Sequence, residues 1–223
     1  MGIKARRYAD ILAGAPEYVT GRQEEWKAFL ATAARNYKYP YYDQLMIYLQ
    51  RPEATACAEY DFWFDTMHRY VKRGAKGIAL VDNEGDSPRL RYVFDVADTG
   101  ARRNSRPVWL WQMKEEYRNP VMAALERAYG ISGENQSLEA QLEQVAGRLA
   151  ADYWLDYGRQ IRGIVADSFL EEYDEFNIGT VFRKAAQASI AYTLSVRCTE
   201  EGENLFEPED FRDVSDFNTR QTA

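Results

Sequence analysis

Two short stretches interleave cations with aromatic rings: Arg35-Asn-Tyr-Lys-Tyr-Pro-Tyr-Tyr42 and Arg69-Tyr-Val-Lys-Arg-Gly-Ala-Lys76. Aromatic faces stack on unpaired bases for about 1 to 3 kcal/mol each, and cations between them neutralise phosphates. A single strand of nucleic acid calls for this combination, because only unpaired bases offer their faces. The same composition has a structural reading, in which the tyrosines fill a core and the lysines form a solubilising rim.

Other chemistries fail on residue type or order. The only histidine is His68. A helix-borne HExxH metal site needs two imidazoles on one face, and Ser–His–Asp or Cys–His schemes would both have to draw on His68. Neither Cys57 nor any serine stands in a nucleophile turn. We therefore expect a noncatalytic chain with no cofactor and no metal. Gly74-Ala-Lys-Gly77 precedes the apolar run Ile78–Val81, whereas a phosphate-binding P-loop follows its strand and has a different spacing. The carboxylates of Phe169-Leu-Glu-Glu-Tyr-Asp-Glu-Phe176 lack a second acidic motif or a histidine to complete a site, and read as a solvated acidic corner. Cys57 and Cys198 stand alone, as buried thiols do in a reducing compartment.

The elements that must position these residues are visible as periodicity. From Thr20, Trp26, Phe29, Leu30 and Ala33 share a helical face that ends near Arg35; Pro40 interrupts, and Tyr42, Leu45, Met46 and Leu49 restart the spacing until Arg51-Pro52. Ala54–Ala58 reads as a short strand, and Asp61–Val71 as a helix. Ile78–Val81 and Leu90–Asp95 read as a hairpin across the polar loop 83–89, followed by an exposed loop, 98–107, that carries Arg102, Arg103 and Arg106. Val108–Trp111 fits either a strand or the start of a helix.

After Asn119 the texture becomes helical. Pro120 suits a first helical position with Gly130 as terminator; Ser137 caps a helix through Leu149; Ile161, Ile164, Val165 and Phe169 mark another; and Val181–Leu194 form a small-residue helix expected to be central. The tail from Thr199 reads as a wrapping or partly disordered end. The fold class expected is α+β, with helices and a small antiparallel sheet in the N-terminal half and an all-helical C-terminal half.

Charge divides the chain similarly. Residues 1–118 hold 19 Lys and Arg against 16 Asp and Glu, a net +3, while 119–223 hold 9 against 19, a net −10. A mildly basic half can meet nucleic acid, and an acidic half suits a basic protein partner. No apolar run approaches the roughly 18 residues of a spanning helix, and the N-terminal apolar stretch is too short for a signal peptide, so the chain is expected to be cytoplasmic without a membrane partner.

Trp26 with Phe29-Leu30, Arg35-Asn36, Tyr42-Asp-Gln-Leu-Met46, Ala54-Thr55, Arg69-Tyr-Val-Lys-Arg-Gly-Ala-Lys-Gly-Ile78 and Val93-Phe-Asp-Val-Ala-Asp-Thr99 together resemble the N-terminal domain of the antirestriction protein ArdC family. The resemblance covers roughly residues 20–100 and implies single-stranded DNA binding by an ArdC-like α+β domain at 1–118. The family's metallopeptidase-like domain with HExxH is replaced here by an acidic helical domain or extension at 119–223. Leu170–Ile178 and Asp216–Thr219 resemble the region C-terminal to such a domain in large proteins of clostridial conjugative elements, which also carry DNA methylase and Swi/Snf-type helicase regions.

The expected function is a noncatalytic, single-stranded-DNA-binding, antirestriction-type module of a mobile element. Arg69, Lys72, Arg73 and Lys76 would contact phosphates, Arg35, Lys38, Arg102 and Arg103 would extend the track, and Tyr37, Tyr39 and Tyr41 would stack. The alternative is an inhibitor of a host defence nuclease, antirestriction or anti-CRISPR, acting through the acidic half. Partners are thus single-stranded DNA, a host nuclease, or other regions of a larger mobile-element protein.

Overall fold

The computed structural model describes residues 3–82, 89–166 and 169–218, and the fold is α+β. Two compact units are present, one of Met1–Pro16 with Thr32–Trp111, the other of Glu17–Ala31 with Gln112–Ala223. The charge division at residue 118 follows chain order, whereas the compact units exchange the segment Glu17–Ala31. Their boundaries fall inside α1 (Ile3–Thr20) and α2 (Gln23–Arg35). No described helix is long and apolar enough to cross a membrane.

In the first unit, α3 (Tyr41–Gln50) packs its buried Leu45, Met46 and Ile47 on a three-stranded antiparallel sheet. The strand order is β1 (Cys57–Glu59), β4 (Arg89–Asp95), β3 (Ile78–Asp82), with Cys57 opposite Asp95 and Ile78 opposite Val93. The apolar run Ile78–Val81 is buried throughout although β3 is an edge strand. The α3 helix packs on this run and also supplies Gln50 to its edge. The Gln50 side-chain oxygen accepts the Ala79 N–H at 2.9 Å while its amide nitrogen donates to the Ala79 carbonyl at 2.8 Å. One carboxamide thus satisfies both backbone groups of Ala79 at the edge where a further strand would pair.

The segment expected as a helix over Asp61–Val71 divides in two. Phe62–Thr66 is a π turn closed by the Met67 N–H on the Phe62 carbonyl at 3.0 Å, and Arg69–Val71 is a strand, β2. Three adjacent aromatics cannot all face inward. Trp63 is buried and donates its indole N–H to the Phe94 carbonyl at 2.8 Å, while Phe62 and Phe64 stay exposed. His68 then turns the chain with a left-handed φ of +53°, a conformation open to His more than to most non-glycine residues. Strand β2 pairs antiparallel with β5 (Thr99–Ala101), so the start of the expected exposed loop is a strand as well. The hairpin joining β3 and β4 agrees with the sequence reading; its loop at 83–88 lies outside the described residues.

Asp95 ties these pieces together. Buried at 3 % exposure, its carboxylate accepts the N–H groups of Thr55, Ala56 and Ala97 at 2.8, 2.9 and 2.9 Å. It thereby ends β4, caps the 3₁₀ turn Val96–Asp98 and holds the approach to β1.

In the second unit, α5 (Leu138–Ile164) and α6 (Glu175–Cys198) run antiparallel, with Gly147 against Gln187 and Trp154 against Gly179. The two helices read separately in the sequence before and after Gly158 are one, because Gly158 lies in mid-helix beneath the Trp154 ring. Ser137 caps α5 through the Ala140 N–H at 3.2 Å, and Asp174 caps α6 through Asn177 at 2.8 Å. The helix α4 (Glu115–Tyr129) starts one turn earlier than expected, so Pro120 is its sixth residue rather than its first, and Gly130 ends it at φ +68°.

Val108–Trp111 is neither strand nor helix. The tail wraps: Phe206 and Phe211 pack edge-on to Tyr192 at 5.6 and 5.4 Å, and Phe217 meets Phe182 at 5.6 Å. The N-terminal helix α1 has no counterpart in the sequence reading, since its apolar positions are too few and scattered to announce it.

Replacing Asp95 by Ala strands three N–H groups without an acceptor, and a desolvated unpaired group costs about 1 to 3 kcal/mol. We expect urea unfolding to show a loss of about 2 to 4 kcal/mol for D95A and a smaller loss for D95N, which keeps one acceptor oxygen. A D95A protein as stable as the parent would refute the anchoring role.

Candidate nucleic-acid interface

The β2–β5 ribbon alternates its side chains between two faces. On one, Tyr70 stands opposite Gly100, and its ring lies over the glycine so closely that a Cβ there would fall 2.3 Å from a ring carbon. Beyond it the Arg102 guanidinium sits 5.2 Å from the Phe64 ring centre and 5.7 Å from that of Tyr70. Tyr60 stacks on Phe64 with ring centres 6.0 Å apart and planes 10° apart, one helical turn away. Tyr60, Phe64 and Tyr70 are 49 %, 40 % and 41 % exposed, so this is a surface platform of flat rings rather than a core.

The turn after β5 holds the platform's arginine in place. Ser105 Oγ accepts the Arg102 N–H at 2.7 Å and donates to the His68 carbonyl at 2.6 Å, while the Arg106 N–H reaches the Met67 carbonyl at 2.9 Å. The backbone of the arginine-bearing turn is therefore pinned to the entry of β2.

The expected phosphate contacts fall into two kinds. Arg73, Lys76 and Arg103 are exposed, and no ion pair is recorded for them among the described residues. Gly74, at φ +86°, forms the turn between the first two. Lys72, also exposed, donates to the Ala97 carbonyl at 2.9 Å, and half-buried Arg69 donates to Thr99 Oγ1 at 2.8 Å on the ribbon's other face. The ribbon and its turns thus gather Arg69, Lys72, Arg73, Lys76, Arg102 and Arg103.

The remaining five expected residues lie at the α2–α3 junction and carry different duties. Arg35 is a clamp, donating to the carbonyls of Ala54 at 3.2 Å and Pro52 at 2.7 Å. Tyr39 is half-buried and donates its hydroxyl to the Cys57 carbonyl at 2.8 Å; burial pushes that phenol well above its ordinary range. Lys38 rests 5.7 Å from the Tyr37 ring centre, and Tyr37 is 53 % exposed. Tyr41 is partly exposed, its phenol pushed up to about 12 by burial and by Tyr42 beside it.

The sequence reading did not name Tyr60, Phe64 or Tyr70 as stacking residues. The signal was the Phe62-Trp-Phe64 triplet beside Tyr60, which becomes informative only once residues 69–71 are known to be a strand.

The acidic corner is solvated as expected, with Glu171, Glu172, Asp174 and Glu175 all exposed. A concavity in the second unit is lined by Lys114, Arg118, Glu139 and Cys198, but Arg118 already pairs with Glu115 and Glu139 at 3.4 Å each. No protein-family model matches the chain, and neither curated proteins nor solved structures yield a match.

Cys57 stands on β1 opposite Asp95, and burial pushes its thiol up to about 12, with Asp95 as the next cause. Unfolded, the thiol ionises near about 8.5. The unfolded state therefore holds fewer protons than the folded state between these values, and stability falls as pH rises through that window. Urea midpoints should drop from about pH 8 to about pH 10, less so in C57A. Ellman's reagent should label the native thiols far more slowly than the unfolded ones.

Proposed function

We propose that the unit of Met1–Pro16 and Thr32–Trp111 binds single-stranded DNA without catalysis, as an antirestriction-type module of a mobile genetic element. The observation that carries this reading is the exposed set of rings formed by Tyr70 on the ribbon with Phe64 from the preceding π turn and Tyr60 just before it, bridged by Arg102, beside turns that bear Arg73, Lys76 and Arg103. A duplex hides its base faces, so exposed rings gain little from it beyond what the cations provide. The resemblance to the ArdC N-terminal domain supports DNA as the strand and defence evasion as the setting.

Fluorescence anisotropy with labelled oligonucleotides should give binding to single strands that weakens steeply with salt. Each phosphate contact on a single strand contributes about 0.7 to the slope of log affinity against log salt, so R73E/K76E/R103E should flatten the slope by about 2 and weaken binding at least about tenfold. Absent or salt-insensitive binding would sink the reading.

A second reading assigns the acidic helical half to a protein partner, a host defence nuclease with a basic DNA channel. The observation that favours it is Phe176, 75 % exposed within the acidic corner. An exposed ring amid like charges is the composition of an interface anchor facing a basic surface. Capture of a restriction or CRISPR nuclease that persists after DNA is digested, and is lost in E171K/E172K/F176A, is the expected result. Retention by that variant would exclude this surface.

A further inference from the structure

Resting on the single-strand reading, we propose that the slot over Phe64 and Tyr70 is a nucleobase subsite in which Arg102 is a placeholder, vacating the rings for an unpaired base and moving onto a neighbouring phosphate. Three features of the slot point this way. Its rings are seated on their neighbours, since Gly100 admits the Tyr70 ring and Tyr60 stacks parallel to Phe64. Its present occupant is itself a planar π cation, and a guanidinium is weakly hydrated and stacks on aromatic faces as a base does. An exposed cation–π contact is among the weaker ring contacts, so a larger π surface can replace it.

The exchange requires only a side-chain rotation. The Arg102 backbone N–H stays on Ser105, and Ser105 stays on His68. Arg69 faces the opposite side of the ribbon, held to Thr99, and does not compete for the slot. The turns of the same ribbon carry the exposed cations Arg73, Lys76 and Arg103, and a nucleotide supplies both a flat ring for the slot and an anion for these cations. The displaced guanidinium can then fork two oxygens of one phosphate.

The test uses the full chain with two fluorescein-labelled probes of equal length and phosphate count, a thymidine oligonucleotide and its abasic counterpart. The wild type should bind the thymidine strand at least about fivefold more tightly, the lower end of what one stacked base contributes. Phe64→Leu, which stays apolar but removes the π face, should bring that ratio to about one with abasic affinity unchanged, and Phe64→Trp should preserve it. Arg102→Ala should weaken both probes through the lost phosphate contact yet keep or widen the ratio. If F64L fails to fold, Phe64→Met, which likewise lacks a π face, should give the same collapse of the ratio.

If both probes bind the wild type equally, the subsite is overturned while strand binding stands. A ratio that collapses in R102A makes Arg102 part of the stack and overturns its placeholder role. If neither probe binds, the single-strand reading fails and the subsite falls with it.

Discussion

A single buried carboxylate organises the first unit. Asp95 stands where β4 must stop, and its two oxygens draw in N–H groups from both sides in sequence, Thr55 and Ala56 before β1 and Ala97 after β4. Hydrogen bonds to a charged acceptor are stronger than those between neutral groups, and a buried carboxylate left without them would be costly. Both facts push the same way. The chain after Asp95 must turn tightly, and that turn delivers Thr99 to Val71 and so creates the β2–β5 ribbon. The Arg51–Asp98 ion pair and the Thr99 hydroxyl, which donates to the Val96 carbonyl at 2.8 Å, hold the same corner from the other side.

From this corner the unit sorts its cations physically. Arg35, Arg51, Arg69 and Arg91 are half-buried and engaged: Arg35 on two carbonyls, Arg51 on Asp98, Arg69 on Thr99, Arg91 on Asp43. Removing any of them from water without such partners would be expensive. Arg73, Lys76 and Arg103 sit exposed on turns, with no ion pair among the described residues. Exposed rings are a cost to solubility that a ligand of the right chemistry would reverse, and the cations beside them keep that surface hydrated.

The second unit works on different terms. Its long pair α5–α6 achieves close approach with small residues, so that the Trp154 ring lies against Gly158 and Gly179, and a Cβ on Gly179 would come within 2.7 Å of it. The tail then supplies the aromatic cover that small residues cannot, with Phe211 fully buried and Phe217 packed on the Val165, Leu170 and Ile178 cluster. Trp26, from the segment before α3, donates to Ser189 at 2.9 Å and belongs to this unit although it is distant in sequence. Glu171, Glu172 and Glu175 stay outside this packing, at exposed positions, while Asp213 and Asp216 of the tail are half-buried.

Much of this was legible in the residues, because it is local. Periodicity marked α2 and α3, alternation marked β4, Gly130 marked the end of α4, and Ser137 marked the start of α5, each through an interaction within a few residues. The α+β class followed from the same signals. Less visible were the features that depend on partners far along the chain. Nothing in Arg69–Val71 distinguishes a strand from a helix until Thr99–Ala101 pairs with it, and nothing marks Gln50 as an edge cap until Ala79 lies beside it.

The candidate site divides along the same line. The sequence by itself determined which side chains could meet a nucleic acid, since residue type sets charge and ring. Only the tertiary structure decided which of them remain available. Arg35 and Tyr39 are claimed by carbonyls of Pro52, Ala54 and Cys57, while Trp63 takes the buried place on the Phe94 carbonyl and Tyr60, Phe64 and Tyr70 stay exposed.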